Sequence, residues 1–555
     1  MTIQEKYELW LKNVQDTELK NQLTEMKNDE VLKENSFFKD LEFGTGGLRG
    51  VLGVGTNCLN IYTIGKITQG IAEYMKSNRL ESVAISYDSR LKSDVFAQKA
   101  ATVFAENGIK VYITKELMPT PFLSYITRNL NAQIGIMITA SHNPSKYNGY
   151  KVYGSDGCQI TDKAVEDILP FIENVDIFSV KDGNFSSFLA SGQIAYVSEE
   201  LTESFLQEVL KLSNGFEEGL NVTYSALNGT GYKLVPEILK RAGVTNIHLV
   251  TEQSYPDGNF TTCPYPNPEK KEALTLGLSY AKANDSDLLL ATDPDCDRVG
   301  IAVKHNGEYK LLTGNEVGVL LTDYLLYVKK SNGSLPKNPI IVKTIVTTDL
   351  VKRIAKEYNI EVIEVLTGFK YIGEVISNLE KENKKDLYLL GFEESYGYLS
   401  GAHVRDKDGV NAALIISEMT AFYKKQGITL VDKINEIYQK YGLYEHKLLS
   451  YNFEGASGNQ EMKIRLKALR ENLPQTIAGV QVLKTIDYLT QTEYALPRAN
   501  VLSFEMIDGS KIIIRPSGTE PLVKSYLTVC FDEQKNKERL EAYKTYLDSL
   551  FASNS

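Results

Sequence analysis

Short apolar segments alternate with amphipathic segments along most of this chain. This pattern is typical of strands that alternate with helices in a mostly parallel α/β sheet. The first round predicts strand 82–87, helix 94–107 and strand 109–113. Ser93 is the predicted N-cap of that helix and Gly108 its predicted end, because hydroxyl residues favour helix starts and glycine favours helix ends.

The same rhythm recurs twice and then changes. The second round predicts strands 221–225, 246–250 and 287–291, with helices that start near 232 and 270. The third predicts a hairpin at 306–307, helix 316–329, and strands 339–343 and 386–390. The last segment indicates an antiparallel sheet and one helix, with strands 499–506, 511–514 and 522–529, a helix from about 533, and a polar loop at 455–460.

This organisation predicts three similar mixed α/β domains and a C-terminal α+β domain around a central cleft. Size also favours several domains, because 555 residues exceed what a single hydrophobic core serves. The N-terminal residues up to about Lys39 show helical periodicity and are assigned to the first domain. The predicted boundaries are 1–195, 196–305, 306–440 and 441–555.

Composition and charge narrow the classes of function. The chain is 43% hydrophobic and 24% charged, which is ordinary for a folded globular protein. Its formal net charge of −10, without a dense basic tract, argues against nucleic acid or an anionic membrane as the main partner. The five cysteines form no CxxC pair, and no apolar run reaches membrane-spanning length. We expect a cytoplasmic protein without disulfides, zinc or a signal peptide.

The segment Thr139-Ala140-Ser141-His142-Asn143-Pro144 follows a fully apolar strand, 134–138. Ligands of open α/β sheets bind at the carboxyl ends of strands. A serine hydroxyl on this rigid support can act as a nucleophile or carry a phosphoryl group. The alternative is an ordinary turn, since all of these residue types are common in turns.

A second polar loop carries Asp293, Asp295 and Asp297 after the strand 287–291. In an extended segment these alternate residues project to one side. Three carboxylates so close repel one another unless a cation neutralises them, and Mg²⁺ suits a site that also handles phosphate. The alternatives are a solvated acidic loop or a Ca²⁺ loop, although the glycine and the final glutamate of an EF-hand are missing.

Two further segments offer binding groups. Arg515, Ser517, Gly518 and Thr519 combine a guanidinium, hydroxyls and an accessible backbone amide, which suits a phosphate cradle, although a plain turn is the alternative. The loop 391–398 presents carboxylates, a serine and aromatic rings. These groups suit sugar hydroxyls, and a charged turn is the alternative.

Several single residues are weaker candidates. The glycine-rich segment 44–50 is expected to be a flexible backbone that presents Arg49 to an anion, and Lys151 follows Ser141 closely enough to return toward it. Lys370 lies in a short polar segment, 367–370, and His142 is the neighbour of the candidate serine. The role of His403, in a charged loop, is open.

In this order, the motifs TASHNP (139–144), DPDCDR (293–298) and RPSGTEP (515–521) resemble those of the α-D-phosphohexomutase superfamily. The resemblance extends from about residue 42 to 528. The segments GTGGLRG, TGFK and GFEESYGY are most similar to the bacterial phosphoglucomutase branch, which is related to phosphopentomutases. The family implies four domains around a deep cleft.

By motif match, the resemblance implies that Ser141 is a phosphoserine. It also implies that Asp293, Asp295 and Asp297 bind one Mg²⁺, with an oxygen of the phosphorylated serine as a fourth ligand. The remaining implied site residues are Arg49, His142, Lys151, Arg298, Lys370, Glu393, Ser395, Arg515, Ser517, Gly518 and Thr519. The family loop GExSG followed by histidine is EESYGY here, so no histidine is carried over from that loop.

The implied reaction interconverts α-D-glucose 1-phosphate and glucose 6-phosphate through the phosphoserine and glucose 1,6-bisphosphate, which also serves as activator. Substrates would be small sugar phosphates, and the protein a monomer or homodimer without nucleic-acid or membrane partners. A phosphopentomutase or phosphomannomutase would share every catalytic motif. A metal-dependent phosphatase and a catalytically silent sugar-phosphate-binding protein are the alternatives from other classes.

Overall fold

The computed structural model describes residues 1–44, 46–453, 455–491, 496–517 and 522–552, without the side chains of 455–457 and 459. The chain forms two compact units. The first contains Met1–Pro339 and Phe369–Leu430, and the second contains Ile340–Gly368 and Val431–Ser555. Within the described ranges, no helix is both long and apolar enough to cross a membrane.

The N-terminal segment forms three short helices, α1 (Ile3–Asn13), α2 (Thr17–Glu25) and α3 (Glu30–Phe37). Each begins at a side-chain cap, because Thr2, Asp16 and Asp29 accept hydrogen bonds from backbone amides of the first turn. Trp10 is 1% exposed and forms edge-on ring contacts with its neighbours. The contact of Trp10 with Phe178 joins the helical segment to residues of the first sheet domain. The helices themselves are those that the periodicity predicts.

The first sheet has the order β1-β5-β4-β2-β3-β6. Strands β2, β3, β4 and β6 are mutually parallel, whereas β5 is antiparallel to both β4 and β1. Its strands are β1 (Gly47–Val51), β2 (Ser82–Tyr87), β3 (Lys110–Ile113), β4 (Ile134–Ile138), β5 (Tyr147–Gly154) and β6 (Ile194–Tyr196). Its helices are α4 (Ile61–Ser77), α5 (Ser93–Glu106), α6 (Thr120–Asn129), α7 (Asp162–Glu173), α8 (Phe185–Ala190) and α9 (Glu199–Leu210).

The second sheet has the order β11-β10-β9-β7-β8. Strands β7, β8 and β9 are parallel, and β10 and β11 form an antiparallel hairpin at one side. Its strands are β7 (Asn221–Ser225), β8 (Asn246–Leu249), β9 (Leu288–Thr292), β10 (Val299–His305) and β11 (Glu308–Leu312), and its helices are α10 (Gly231–Ala242) and α11 (Thr275–Ala283). Every residue of β9 is buried, as its largely apolar sequence predicts.

The next segment contributes elements to both units. Its elements are α12 (Gly314–Ser331), β12 (Ile340–Thr344), α13 (Leu350–Glu357), β13 (Glu361–Val365), α14 (Phe369–Lys381), β14 (Tyr388–Glu393), β15 (Gly397–Leu399), α15 (Gly409–Lys425) and α16 (Leu430–Tyr441). In the first unit β14 and β15 form an antiparallel pair, and α15 is buried along most of its length. In the second unit β12 and β13 are parallel.

The C-terminal segment forms an antiparallel sheet in the order β16-β21-β20-β19-β18-β17. Its elements are β16 (Tyr444–Asn452), α17 (Gly455–Glu471), β17 (Thr476–Ile477), β18 (Val480–Asp487), β19 (Leu502–Met506), β20 (Lys511–Pro516), β21 (Leu522–Cys530) and α18 (Glu533–Phe551). One apolar core joins the sheet to α17 and α18. The predicted antiparallel sheet with a C-terminal helix is confirmed.

Three local predictions are wrong. The segment 455–460 is the start of α17 rather than a loop. The glycine-rich segment contains the strand β1, which pairs with β5, so it is not simply a flexible loop. Ser93 is the first residue of α5 and not its cap, because its hydroxyl donates to Asp88 Oδ1 at 2.7 Å.

Candidate active site

Ser141 lies just beyond the carboxyl end of β4 and is 4% exposed. Its φ is +51°, a left-handed conformation that costs energy for a non-glycine residue. The Ser141 amide donates to Thr139 Oγ1 at 2.8 Å, and the Thr139 hydroxyl donates to Asp88 Oδ2 at 2.6 Å. The surrounding hydrogen bonds therefore hold the serine in a strained and specific orientation.

The Ser141 hydroxyl is directed at the second polar loop. Its Oγ donates to Asp293 Oδ2 at 2.8 Å and lies 3.2 Å from His142 Nδ1. Burial, reinforced by the positive charges of Arg298 and Arg49, holds the pKa of His142 well below its usual value. His142 is thus a neutral imidazole beside the hydroxyl.

The loop after β9 is a closed turn that gathers its own backbone amides around Asp293. Asp293 Oδ1 accepts hydrogen bonds from the amides of Asp297 at 3.1 Å and Arg298 at 3.0 Å. Cys296 adopts a left-handed φ of +53°, which lets the chain reverse direction before β10 begins. The turn places three alternate carboxylates on one side, as the sequence predicts.

Asp293, Asp295 and Asp297 form a compact acidic cluster, each 0–2% exposed. Their ligand oxygens all lie within 4.8 Å of one another. Burial and the other two carboxylates raise the pKa of Asp293 well above its usual value. In the described part of the chain, Asp295 Oδ1 and Asp297 Oδ1 are buried without a hydrogen-bond partner. Such buried carboxylate oxygens fit a hard divalent cation, so this cluster can hold a metal ion.

The first sheet domain fixes the acidic loop from the side of Ser141. Thr120, the first residue of α6, donates from its hydroxyl to Asp295 Oδ2 at 2.8 Å. Its amide also donates to the Asp295 carbonyl at 2.9 Å. From the second sheet domain, the Thr230 amide donates to the Pro294 carbonyl at 2.8 Å. Direct hydrogen bonds from both sheet domains thereby hold the acidic loop in place.

Two lysines face the acidic cluster. Lys151 on β5 places its Nζ 3.0 Å from Asp295 and 3.7 Å from Asp297. Lys407 Nζ lies 3.1 Å from Asp297 and 3.0 Å from Asp406. Burial disfavours both ammonium groups, but the carboxylates outweigh it and raise the pKa of each lysine. Both side chains are therefore fixed positive charges beside the cluster.

Sequence reasoning missed Lys407. From sequence, the segment 401–408 indicates only a charged loop around His403. The available signal was a dense charge pattern directly before a strongly apolar helix, α15. Such a pattern places charged groups at the end of a buried element, where only a partner charge or a ligand makes them tolerable.

The sugar-recognition candidates lie in the turn between β14 and β15. Glu393 ends β14, is 5% exposed and pairs in register with Gly397. Ser395 is half-buried in the same turn, and Tyr396 has a left-handed φ of +66°. The Val299 amide donates to the Tyr396 carbonyl at 3.0 Å, which ties this turn to the strand that leaves the acidic loop.

Arg298 lies between the acidic loop and the sugar-recognition turn. Its Nη1 is 2.5 Å from Glu269 Oε1 and its Nε is 3.8 Å from Asp297 Oδ1. Burial alone would lower the pKa of Arg298. These carboxylates and Glu393 have the larger, opposite effect, so the pKa of Arg298 is raised. The structure therefore brings Ser141, the three aspartates, Lys151, Arg298 and Glu393 into one region of the first unit.

Two other predicted residues have different surroundings. Arg49 is exposed on β1, and its Nη1 donates to Asn143 Oδ1 at 3.0 Å, so it contacts the serine loop. Lys370 is the second residue of α14, and its Nζ pairs with Asp162 Oδ1 at 2.8 Å. That ion pair directs the ammonium to the start of α7.

The predicted phosphate cradle lies in the second unit. Arg515 is on β20, where it pairs in register with Lys524 of β21. The Ser517 amide donates to the Leu522 carbonyl at 2.7 Å. Gly518 and Thr519 lie outside the described residues.

Three family models match the chain in sequence. They are the alpha/beta/alpha domains I, II and III of phosphoglucomutase/phosphomannomutase, at residues 40–177, 199–307 and 313–441. The chain belongs to the phosphoglucomutase/phosphomannomutase family. Its fold is three mixed α/β domains followed by a C-terminal domain, as predicted.

Relatives cover nearly the full length. The chain is 36% identical over 536 residues to a phosphoglucomutase from Staphylococcus saprophyticus, covering 94% of this chain and 96% of that one. It is 36% identical over 549 residues to a phosphoglucomutase from Staphylococcus aureus strain MRSA252, covering 96% and 98%. Among solved structures, the open form of parafusin, a phosphoglucomutase from Paramecium, has a similar fold, with a TM-score of 0.69, 18% identity, and coverage of 93% and 97%.

Proposed function

We propose that this protein is a phosphoglucomutase that interconverts α-D-glucose 1-phosphate and glucose 6-phosphate. The observation that carries the proposal is the 2.8 Å contact between Ser141 Oγ and Asp293 Oδ2, which places a serine hydroxyl at a cluster of three buried aspartates. The two staphylococcal relatives of nearly equal length support the choice of glucose phosphates.

In the proposed reaction Ser141 carries a phosphoryl group before the sugar arrives. The 6-hydroxyl oxygen of glucose 1-phosphate forms a bond to this phosphorus as the bond to Ser141 Oγ breaks, and the hydroxyl proton leaves to a base or to solvent. Glucose 1,6-bisphosphate results. After the sugar turns over, Ser141 Oγ loses its proton and forms a bond to the 1-phosphorus as the bond from that phosphorus to the sugar O1 breaks. O1 takes up a proton, glucose 6-phosphate leaves, and the loaded enzyme is restored.

The acidic cluster would hold one Mg²⁺ through Asp293, Asp295 and Asp297, with an oxygen of phosphorylated Ser141 as a further ligand. When bound, the ion offsets negative charge on the phosphoryl group that is transferred. The oxygens without hydrogen-bond partners on Asp295 and Asp297 support this assignment. The protein contributes a rigid arrangement, because hydrogen bonds fix both loops before substrate binds.

The cationic side chains supply the remaining charge compensation. Lys151 and Lys407 lie against the acidic cluster, and Arg298 is the last residue of the loop that follows β9. Positive groups held in place by carboxylates can stabilise a phosphoryl group without rearranging during transfer. We assign Lys151, Arg49 and the neutral His142 to the surroundings of the phosphoserine.

Binding of the sugar is assigned to Glu393 and Ser395, since a carboxylate can accept hydrogen bonds from two hydroxyls at once. The further binding residues of the proposal are Arg298, Lys370, Arg515, Ser517, Gly518 and Thr519. The last four of these would bind the phosphate that does not react. We also propose the four-domain division at 1–195, 196–305, 306–440 and 441–555, a cytoplasmic location, and a monomer or homodimer.

A substrate panel tests the proposal. Glucose, mannose, N-acetylglucosamine, ribose and deoxyribose 1-phosphates are compared by kcat/KM, with Mg²⁺ and a trace of glucose 1,6-bisphosphate. We expect glucose 1-phosphate to give the highest value, and the Ser141→Ala variant to give none. A preference for a pentose phosphate would overturn the substrate assignment. Release of inorganic phosphate without isomerisation would instead indicate a phosphatase.

A further inference from the structure

Arg90 is an arginine without access to solvent, placed next to the serine loop. It lies in the connection between β2 and α5, and its side chain is 0% exposed. Its Nε is 3.3 Å from Asp88 Oδ2, so the buried guanidinium has a buried counter-charge. A buried arginine of this kind is costly unless its donors are used, so its hydrogen-bond partners indicate its role.

The guanidinium binds four backbone carbonyls of a single loop. Its Nη1 donates to the carbonyls of Pro144 at 3.0 Å and Tyr147 at 3.1 Å. Its Nη2 donates to the carbonyls of Ser141 and Asn143. The planar guanidinium of Arg90 thus fixes the turn 141–147. Four carbonyl oxygens of this turn point toward the guanidinium.

Asp88, the counter-charge of Arg90, is linked by hydrogen bonds to the backbone amide of Ser141. Its Oδ1 accepts from Ser93 Oγ at 2.7 Å and from the Arg90 amide at 3.0 Å. Its Oδ2 accepts from Thr139 Oγ1, whose oxygen in turn accepts the Ser141 amide. The serine in its left-handed conformation is therefore held at its amide through Thr139 and at its carbonyl by Arg90.

The second sheet domain closes the site around Arg90. The Phe260 ring lies under the guanidinium, 5.0 Å from its Cζ to the ring centroid, and Phe260 is itself 0% exposed. A Cβ at Gly258 would lie 2.7 Å from the Leu91 amide nitrogen, so the two loops are in direct contact there. Arg90 thus has contacts with the domain that carries the three aspartates.

We propose that Arg90 is a positioning residue for phosphoryl transfer. Through the carbonyls of residues 141–147 it maintains the strained backbone at Ser141 and aims the serine Oγ at Asp293. This inference rests on the proposed function. A lysine would keep the charge at this position, but its single Nζ cannot reach four carbonyls with the geometry of the guanidinium fork.

The test compares Arg90→Lys and Arg90→Met with the wild-type protein. We expect kcat to fall about 100-fold in both variants, as for a misplacement of about 1 Å at the reacting group. We expect KM for glucose 1-phosphate to stay within about threefold, because the binding groups lie on other loops. If Arg90→Lys keeps wild-type kcat, or if only KM changes, the proposal is overturned.

Arg465→Lys is the matched control. Arg465 also donates to two backbone carbonyls, of Leu550 and Ala552, pairs with a glutamate and lies over a phenylalanine ring, but in the C-terminal sheet domain. We expect its kcat to stay within about twofold of wild type, since these contacts of Arg465 lie within the C-terminal sheet domain. If the Arg90 variants do not fold, Thr139→Val breaks the same chain of hydrogen bonds and should lower kcat without raising KM; an unchanged kcat there overturns the proposal.

Hydrogen–deuterium exchange of the same proteins separates this inference from the proposed function. In Arg90→Lys, amides of residues 141–147 should exchange faster than in wild type, whereas peptides of the C-terminal sheet should not change. This result requires no catalytic activity. If exchange in this loop is unchanged, the positioning role is wrong even for an active mutase. If exchange rises but the wild-type protein is inactive with every sugar phosphate, the proposed function fails instead.

Discussion

Ser141 Oγ donates a 2.8 Å hydrogen bond to Asp293 Oδ2, although the two residues are 152 positions apart in the chain. Each follows a fully buried strand, β4 and β9 respectively. The contact joins a strained serine to a cluster of buried carboxylates. This contact favours a functional role for Ser141 over an ordinary turn, because the cluster that it contacts is able to hold a metal ion.

Replacement of Asp293 by asparagine should separate metal binding from stability. The pKa of Asp293 is raised by burial and by its two neighbours, so its charge is unfavourable in the metal-free fold. We expect Asp293→Asn to raise the Tm of the metal-free protein, to abolish the Tm increase on adding Mg²⁺, and to lower kcat at least about 100-fold.

Calorimetric melting with and without Mg²⁺ checks this prediction, with Asp285→Asn as control. Asp285 has an 82% exposed side chain and pairs with Lys304 on the surface. The control should melt and respond to Mg²⁺ as the wild type does. An Asp293→Asn protein that still gains stability from Mg²⁺ would show that the metal site lies elsewhere.

Lys407→Met should be both unstable and slow. The change removes the ammonium that lies 3.1 Å from Asp297 and 3.0 Å from Asp406, and it leaves two buried carboxylates without this partner. Loss of one member of a buried ion pair costs about 3–5 kcal/mol of unfolding free energy. Denaturant titration measures this loss, and the same variant should have a reduced kcat.

The comparison for Lys407 is Lys304→Met, which removes one partner of an exposed ion pair. Exposed pairs contribute at most about 1 kcal/mol. Equal stability losses in the two variants would contradict the idea that Lys407 neutralises the acidic cluster.

Glu393→Gln should weaken substrate binding. A carboxylate at the end of β14 accepts hydrogen bonds only, whereas an amide presents one acceptor and one donor to the sugar hydroxyls. We expect KM for glucose 1-phosphate to rise about tenfold, the equivalent of one hydrogen bond to a charged group. Initial-rate kinetics measure this change, and Glu308→Gln, at an exposed position of β11, is the control. A KM equal to that of wild type would remove Glu393 from the binding site.

The C-terminal sheet domain should lose stability in mild acid. His446 on β16 lies 3.1 Å from Thr528 Oγ1 on β21, and burial lowers the pKa of His446 to about 4. The unfolded chain, with an ordinary histidine pKa of about 6.5, binds a proton that the folded state does not bind between these values. The free energy of unfolding therefore rises with pH from about 4 to about 6.5 and is then constant for this group.

His446→Asn removes the titrating group and keeps a hydrogen-bonding side chain for Thr528. We expect the urea midpoint of the wild type to fall more between about pH 7 and pH 5 than that of the variant. Equal losses of midpoint in the two proteins would exclude His446 as a source of acid sensitivity.

Regular apolar runs made much of the fold predictable from sequence. The predicted strands 82–87, 134–138 and 221–225 coincide with β2, β4 and β7. Almost all residues of these segments are buried, so apolar and β-branched residues dominate each of them, and 134–138 is apolar throughout. The helix α17 escaped prediction because its first turn is polar and glycine-containing. Its apolar residues Met462, Leu466 and Leu469 are buried in the C-terminal core, and this packing stabilises the helix.

Residues of the candidate site were predictable from sequence only where the residues that act together lie in one loop. Asp293, Asp295 and Asp297 share a turn, so their spacing alone indicates a cluster. Lys407 reaches Asp297 through contacts between residues 110 positions apart, and no local pattern encodes that distance. The role of Arg90 could not be predicted from sequence either. Its partners are backbone carbonyls, which every residue type has, so the sequence does not indicate them.

Single-turnover transfer from the phosphorylated enzyme tests the central claim most directly. Protein loaded with glucose 1,6-bisphosphate and then freed of ligand is mixed with glucose 1-phosphate and Mg²⁺, and mass spectrometry follows the peptide that contains Ser141. The account predicts phosphate on Ser141 at the start, its transfer to the sugar at a rate no slower than kcat, and an inactive Ser141→Ala variant that takes up none. Mutase turnover by Ser141→Ala, or a loaded phosphate that passes only to water, would contradict it.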